Sequence, residues 1–415
     1  MAVSDQQTEL SQAARGFLAP RPHDAAMMRL ALAEAEKGRG LVSPNPLVGA
    51  VVVDETTSIP HVLATGFHAA YGQAHAEVSA LGRLGGASAR EKTLYVTLEP
   101  CNHVGKTGKC TDALLAAGLG RVVVGLLDPN PRVAGGGVQR LRQAGVAVQT
   151  GVCEDECRQQ NRGYLQWLSV GRPWLLLKAA IALDGRLAVS GGRRQFLTGA
   201  QAARKVHALR AAYDAIVVGA ATVRADDPQL TARGADPVPT RQPLRVVIDG
   251  ALSVPVSAQV VGPGTLFLTS EPSFSKHSEK VRALQARGAE VETIPRPARD
   301  PSLGGLGTAD PGNDTDIDLR QALTLLGKRG ILYALCEGGG KLHGAFLAAQ
   351  LYDEAALFVA PLFLGASGVP LLGDWSCPAV DAAPWLERPT YTPLGADCLI
   401  EGTLRRSPFS PQPQP

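Results

Sequence analysis

Four hundred and fifteen residues, 45% hydrophobic and 19% charged, suffice for two or three domains of roughly 150 residues and exclude a chain too polar to bury a core. Forty-one basic against thirty-eight acidic residues leave a net charge of +3, which argues against a surface built to coat nucleic acid or an anionic membrane. Seven cysteines, at positions 101, 110, 153, 157, 336, 377 and 398, are odd in number and scattered, so they read as reduced thiols rather than as a secreted disulfide framework.

In chain order, residues 1–20 form a polar extension without the basic end and apolar core of a signal peptide. Asp24 is expected to cap a helix rich in Ala, Leu and Met. From there helical patterns at 24–37, 76–84, 111–117 and 137–144 alternate with the β-rich runs 47–53, 93–98, 121–127 and 146–151, the signature of an α/β layer fold. A connecting helix carries Cys153 and Cys157, and the Gly171-Arg172-Pro173 turn marks a domain boundary. Beyond it, 174–185, 214–220, 244–249, 264–270, 331–337 and 355–365 read as buried strands, with helices at 200–212, 277–287, 319–327 and 341–350. Residues 295–318, crowded with Gly, Pro and Asp, read as a surface loop. The most apolar stretch, Ala355 to Ala366, is broken by Pro361 and falls short of the roughly 18 apolar residues of a membrane span. The organisation expected is an extension over 1–20, α/β domains over 21–170 and 171–407, and a disordered tail over 408–415, in a soluble, cytoplasmic protein.

His75 and Glu77 open a helical pattern, Pro100-Cys101 follows a strand, and Cys110 stands nine positions beyond Cys101. One imidazole and two thiolates are three zinc ligands, and three protein ligands leave the fourth tetrahedral position open for water, as a catalytic site requires. Glu77 lies where a carboxylate can stand near the metal without binding it and move protons of the bound water. Each residue alone reads as an ordinary core histidine or buried thiol; together they point to metal. Zinc deaminases share the His-x-Glu and Pro-Cys-x-x-Cys pattern, and here the first part matches while eight residues replace the two between the cysteines. His103 is a candidate fourth ligand. Gly105-Lys106-Thr107 is not a P-loop end, because Pro100 occupies the place of its first glycine.

In the second half the informative clusters are Leu183-Asp184-Gly185-Arg186, Gln195-Phe196-Leu197-Thr198, Thr222 to Pro228 with Leu230 and Arg233, and Cys336-Glu337-Gly338-Gly339-Gly340. A strand running into three glycines and a helix brings backbone N–H groups close to a phosphate, where the helix N-terminus favours negative charge. No Gly-x-Gly-x-x-Gly follows a strand, so an ordinary Rossmann site is excluded.

Together with 43–53, 66–68, 95–103 and 128–137, the first set resembles, over residues 24–165, the deaminase domain of bifunctional riboflavin biosynthesis proteins. The second resembles the reductase domain of the same family from about Pro173 to Arg405. The resemblance implies a cytidine-deaminase-like three-layer domain followed by a dihydrofolate-reductase-like domain. It implies Zn2+ held by His75, Cys101 and Cys110, with Glu77 as proton carrier, and Asn45, His68, His103 and Lys106 on the pyrimidine and its ribose phosphate. It places NADPH on Ala180, Phe196, Thr222, Asp226 and the run Gly339, Gly340, Lys341, Leu342, His343, Gly344 and Ala345. Arg210, Leu230, Arg233 and Glu337 would hold the ribosylaminopyrimidine phosphate.

The implied chemistry is deamination of 2,5-diamino-6-ribosylamino-4(3H)-pyrimidinone 5′-phosphate, then NADPH-dependent opening of the ribosyl group to a ribityl chain. The implied partners are these small molecules and further copies of the chain, with no nucleic acid and no membrane. Three departures stand out: Gly108-Lys109 replaces two prolines common before the second cysteine, Phe196 replaces a tryptophan, and Gly192-Arg193-Arg194 replaces Gly-Glu-Ser, removing a substrate-contacting serine. The last allows a second reading, a deaminase whose reductase half is degenerate. A third, a deaminase of nucleic-acid bases, fits poorly with a near-neutral chain.

Overall fold

The computed structural model describes residues 21–57, 59–103, 108–131, 133–191, 196–234, 241–297 and 316–405. The expected extension and tail, Lys106, Gly192-Arg193-Arg194 and most of 295–318 lie outside these. The chain divides into two compact units at Val170 and Gly171. No helix among the described residues is long and apolar enough to cross a membrane.

The first unit runs α1 (Asp24–Glu36), β1 (Gly49–Asp54), β2 (His61–Phe67), α2 (Ala76–Gly82), β3 (Thr93–Leu98), α3 (Cys110–Ala116), β4 (Arg121–Leu126), α4 (Gly136–Gln143), β5 (Ala147–Thr150), α5 (Glu154–Gln160) and α6 (Arg162–Val170). Its sheet has the order β2-β1-β3-β4-β5, antiparallel at β1 and parallel from β3 to β5. β3 and β4 are buried along their whole length, as the uninterrupted apolar runs TLYVTL and RVVVGL require. Ala50, Val52, Leu94, Val96, Val122 and Val124 pack on one face against Ala76 and Ala80 of α2, Leu114 of α3 and Val138 and Leu141 of α4. α1 and α5 cover the other face, where Met28 and Cys157 close on Gly125. This is the three-layer arrangement expected.

β2 was not expected: with one exposed end, two glycine-or-alanine positions and a histidine, it reads poorly as a strand, and as an edge strand it needs only one partner. Asp24 also differs from expectation. It does not cap α1 but is its first residue, and its carboxylate accepts two 2.8 Å hydrogen bonds from the Arg121 guanidinium and one of 2.7 Å from the Tyr95 hydroxyl. Removing one member of such a buried pair costs about 3–5 kcal/mol, because the other charge is left uncompensated.

The second unit runs β6 (Trp174–Ala182), β7 (Arg186–Ala188), α7 (Ala200–Ala212), β8 (Ala215–Gly219), α8 (Ala220–Asp226), β9 (Leu244–Ile248), β10 (Thr265–Ser270), α9 (Glu271–Lys276), α10 (Ser278–Ala286), β11 (Glu290–Ile294), α11 (Leu319–Lys328), β12 (Tyr333–Gly338), α12 (Gly340–Ala348), β13 (Glu354–Ala360), β14 (Val369–Pro370), β15 (Trp385–Leu394) and β16 (Asp397–Arg405). A nine-stranded sheet has the order β11-β10-β9-β8-β12-β6-β13-β16-β15. It is parallel from β11 to β13 and antiparallel from β13 to β15. The C-terminal ends of β6, β8, β12 and β13 therefore lie along one edge, the place where open α/β sheets bind ligands. β13 stops at Ala360, before the Pro361 through which the expected strand ran. β15 was missed because Pro389 and Pro393 speak against a strand; it occupies the sheet edge, where proline is tolerated, with a register shift between Glu387 and Thr390.

Candidate active sites

In the first unit three loop-to-element junctions converge. His75 is the residue before α2, Cys101 follows the C-terminal end of β3, and Cys110 begins α3. His75 Nδ1 stands 3.2 Å from Cys110 Sγ and 3.5 Å from Cys101 Sγ, and the three donor atoms lie within 4.8 Å of one another. A tetrahedral zinc ion with ordinary bond lengths sets nitrogen and sulfur about 3.5 Å apart, so this donor set fits that metal and leaves one position open. The Cys110 backbone N–H also reaches Cys101 Sγ at 3.5 Å, tying the two thiol-bearing residues together.

Glu77, in the first turn of α2, is 3% exposed, and burial raises its carboxyl above the ordinary carboxylate range. A buried carboxyl poised to gain or lose a proton suits a general acid–base. His68 is buried, with its ring edge-on to His75 at 5.4 Å between centroids. Its Nδ1 faces the Ala74 carbonyl at 3.1 Å, so Nε2 is the acceptor for the Asn45 amide at 3.0 Å, and burial favours the neutral ring. Asn45, His68, His75, Glu77, Cys101 and Cys110 thus form one connected cluster. His103 is exposed at the end of the described part of the zinc loop.

In the second unit Glu337, at the end of β12, receives the Arg210 guanidinium bidentately at 2.6 and 2.8 Å. Lys178 of β6 stands 3.7 Å from the same carboxylate. Burial alone would raise the Glu337 carboxyl; Lys178 and Arg210 outweigh it and hold the group at about 2. Burial in turn lowers Lys178. Arg210 also donates to the Thr231 carbonyl at 3.1 Å, and the Arg233 backbone N–H donates to His207 Nδ1 at 3.2 Å. The turn from Leu230 to Arg233 is therefore fastened to α7. Leu230 itself is a buried side chain at φ +53, so what it offers a ligand is main chain.

The glycine run behaves as the cofactor reading needs at its start. Gly339 has φ +96, and a Cβ there would meet Thr222 Oγ1 at 2.5 Å, so only glycine fits beside the Thr222 hydroxyl, which donates to the Gly338 carbonyl at 2.6 Å. Further along, Gly340 and Gly344 face the Pro370 and Leu372 carbonyls. His343 turns inward, 1% exposed, with Nδ1 2.7 Å from the Tyr352 hydroxyl, so its ring is a core group rather than a cofactor contact. Asp226 ends α8 half-buried, while Asp227, in a left-handed conformation, accepts the Gln259 backbone N–H at 2.8 Å. Ala180 is half-buried in β6, opposite Phe358, and Phe196 is 82% exposed.

Lys178 and His207 were not among the expected site residues. A lone lysine inside the apolar run WLLLKAAIA was the available signal for the first; for the second nothing distinguished one basic residue of α7 from its neighbours. Glu99 and Asn102, which flank Pro100-Cys101, were also missed.

Residues 173–387 match the RibD C-terminal domain family, and residues 21–126 match the cytidine and deoxycytidylate deaminase zinc-binding region. The chain is 36% identical over 384 residues to the riboflavin biosynthesis protein RibD of Aquifex aeolicus, covering 92% of this chain and 98% of that one. It is 39% identical over 354 residues to the Escherichia coli protein of the same name, covering 82% and 89%. Among solved structures, Acinetobacter baumannii RibD aligns with a TM-score of 0.78 at 33% identity, covering 92% of this chain and 99% of that one. A diaminohydroxyphosphoribosylaminopyrimidine deaminase/5-amino-6-(5-phosphoribosylamino)uracil reductase from Thermotoga maritima aligns with a TM-score of 0.76 at 31% identity, covering 92% and 99%.

Proposed function

The chain belongs to the RibD family of riboflavin biosynthesis proteins and is a zinc-dependent deaminase joined to an NADPH-dependent reductase; within that frame we propose which residues carry each reaction. The observation on which the proposal rests is the triangle of His75, Cys101 and Cys110 with buried Glu77 beside it. When bound there, zinc supplies Lewis acidity toward water. Glu77 then takes a proton as water adds to the ring carbon bearing the exocyclic amine, and returns it to the nitrogen that leaves as ammonia. His68, neutral and oriented by Ala74 and Asn45, shapes the pyrimidine pocket, with His103 and Lys106 on the ribose phosphate.

In the second unit the residues proposed for NADPH are Ala180, Phe196, Thr222, Asp226 and the main chain from Gly339 to Ala345; the cofactor supplies the reducing equivalent. Arg210, Arg233 and the Leu230 main chain hold the substrate phosphate and sugar, while Glu337 keeps Arg210 and Lys178 neutralised and in place. The intact Arg210–Glu337 pair supports an active reductase over a degenerate one. We further place the protein in the cytoplasm as a homo-oligomer. Seven free cysteines suit a reducing compartment, and the exposed Trp385 and Tyr391 on edge strand β15 suit burial against a second copy.

The test is incubation of zinc-loaded protein with the diaminopyrimidine ribosylamine phosphate, with and without NADPH, read by mass spectrometry. Deamination alone without cofactor, and a further gain of two hydrogens with it, is the expected result. No deamination overturns the first assignment, and deamination with no reduction overturns the second.

A further inference from the structure

We propose that Glu99 and Asn102 are positioning residues of the deamination site, stapling the Pro100-Cys101 turn to helix α4 and so fixing where Cys101 meets its metal. The inference rests on the zinc site proposed above and concerns how that site keeps its shape.

Glu99 is 4% exposed, yet it touches neither His75 nor either cysteine in any hydrogen bond of the described residues; its carboxylate is spent on α4. Oε2 accepts from the Gly135 N–H at 3.0 Å, and Oε1 accepts from Gly137 at 3.1 Å and Val138 at 3.0 Å. These are first-turn amides, which the helix itself leaves without partners, and three charge-assisted bonds are what allow a carboxylate to be buried there. Against the same turn lies the Pro100 carbonyl: a Cβ on Gly137 would come within 1.9 Å of its oxygen, so the glycine is what lets the cysteine-bearing turn rest on the helix.

On the other side of Cys101, Asn102 completes the attachment. Its Nδ2 donates to the Gly136 carbonyl at 3.2 Å, and its Oδ1 accepts from Arg140 of α4 at 2.9 Å and from the Thr111 hydroxyl at 2.9 Å. Thr111 directly follows Cys110, and its N–H donates to the Cys101 carbonyl at 3.3 Å. Both neighbours of Pro100-Cys101 are therefore fastened to α4, and one of them also holds the residue after the second cysteine. A site that must hold its ligands to within about 0.5 Å needs such support, since Cys101 sits in the loop after β3 and Cys110 at the first residue of α3.

The chemistry of the staple makes Glu99→Gln informative. Glutamine has nearly the same shape, but its amide nitrogen would face at least one backbone N–H, donor against donor. In full-length protein loaded with zinc, Glu99→Gln is expected to release the metal to a chromophoric chelator about 10–100-fold more readily than wild type, the range typical for residues that support metal ligands. The ligand-field bands of the cobalt-substituted variant are expected to shift. Asn102→Ala is expected to do the same, and it carries the test if Glu99→Gln does not fold.

Asp24→Asn, at the opposite end of the sheet, is the comparison: it weakens the unit without touching the staple. Zinc release and cobalt spectra like wild type in Glu99→Gln, or release matched by Asp24→Asn at equal loss of thermal stability, would overturn the proposal. Wild-type protein that binds no zinc would instead overturn the metal site itself, a distinct result seen before any variant is made.

Discussion

The two candidate sites differ in the groups they bury. Around His75 the groups brought together are two thiols, a buried carboxyl and two imidazoles, with the donor atoms at zinc-ligand spacing. Around Glu337 the Arg210 guanidinium and the Lys178 amine share one carboxylate, and Arg233 and His207 lie next to them. The first set has the donor chemistry of a zinc site; the second sets a guanidinium and an amine on one carboxylate, and it is the cluster proposed above for the phosphorylated substrate. The difference also separates the means of support. The first cluster is held mainly by backbone attachments at loop ends; the second holds itself, through the ion pairs of its own members.

The sharpest way to break this comparison is to remove the metal. Chelation, or His75→Ala, is expected to abolish deamination while leaving NADPH-dependent reduction of added deaminated substrate unchanged; parallel loss of both would mean that the two sites are not independent. Next in size, Glu77→Gln should slow deamination about 10²–10⁴-fold with zinc content retained, as read by product formation and metal analysis on the same sample. Normal deamination in that variant would remove Glu77 from the mechanism.

Glu337→Gln should cost the second unit about 3–5 kcal/mol, because Lys178 and Arg210 lose their buried counter-charge. The pH dependence follows from the sign of the shift: Glu337 is held at about 2, below its unfolded value, so its stabilisation is full above the unfolded pKa of about 4.3 and is lost as pH falls toward 2. Denaturation profiles between neutral pH and pH 2 should therefore converge for wild type and variant at the acid end; a constant gap would exclude this ion pair as the cause. The smallest effect is expected for Phe196→Trp, which restores an indole donor on an 82%-exposed side chain. The KM for NADPH should fall a few-fold with kcat little changed, and no change would detach residue 196 from the cofactor.

Much of the fold was legible because buried parallel strands are spelled as unbroken apolar runs. TLYVTL and RVVVGL could be nothing exposed, and both are central strands of the first sheet. β2 and β15 were not legible: an edge strand answers to one neighbour only, so a histidine in β2 and two prolines in β15 cost it little. The group of residues proposed for the metal site was signalled by residue type and spacing, since few side chains bind zinc, and the structure does bring His75, Cys101 and Cys110 together. Its supports were not. Glu99 looks like any acidic residue at a strand end until α4 brings three amides to it, and Lys178 looks like an interruption of a strand until Glu337 is placed beside it.

By itself, then, the amino-acid sequence determined the layer class, the division into two halves and the identity of the groups able to do chemistry, because these depend on local apolar period and on which atoms a side chain carries. Only the tertiary structure decided which of those groups meet. Asp24 became an ion-pair partner instead of a helix cap, the His343 ring a core group, and Lys178 part of a triad, because each outcome turns on a neighbour supplied by the packed unit, Arg121, Tyr352 and Glu337 respectively. Burial and partnership of polar groups are properties of the packed unit, and no local pattern encodes them.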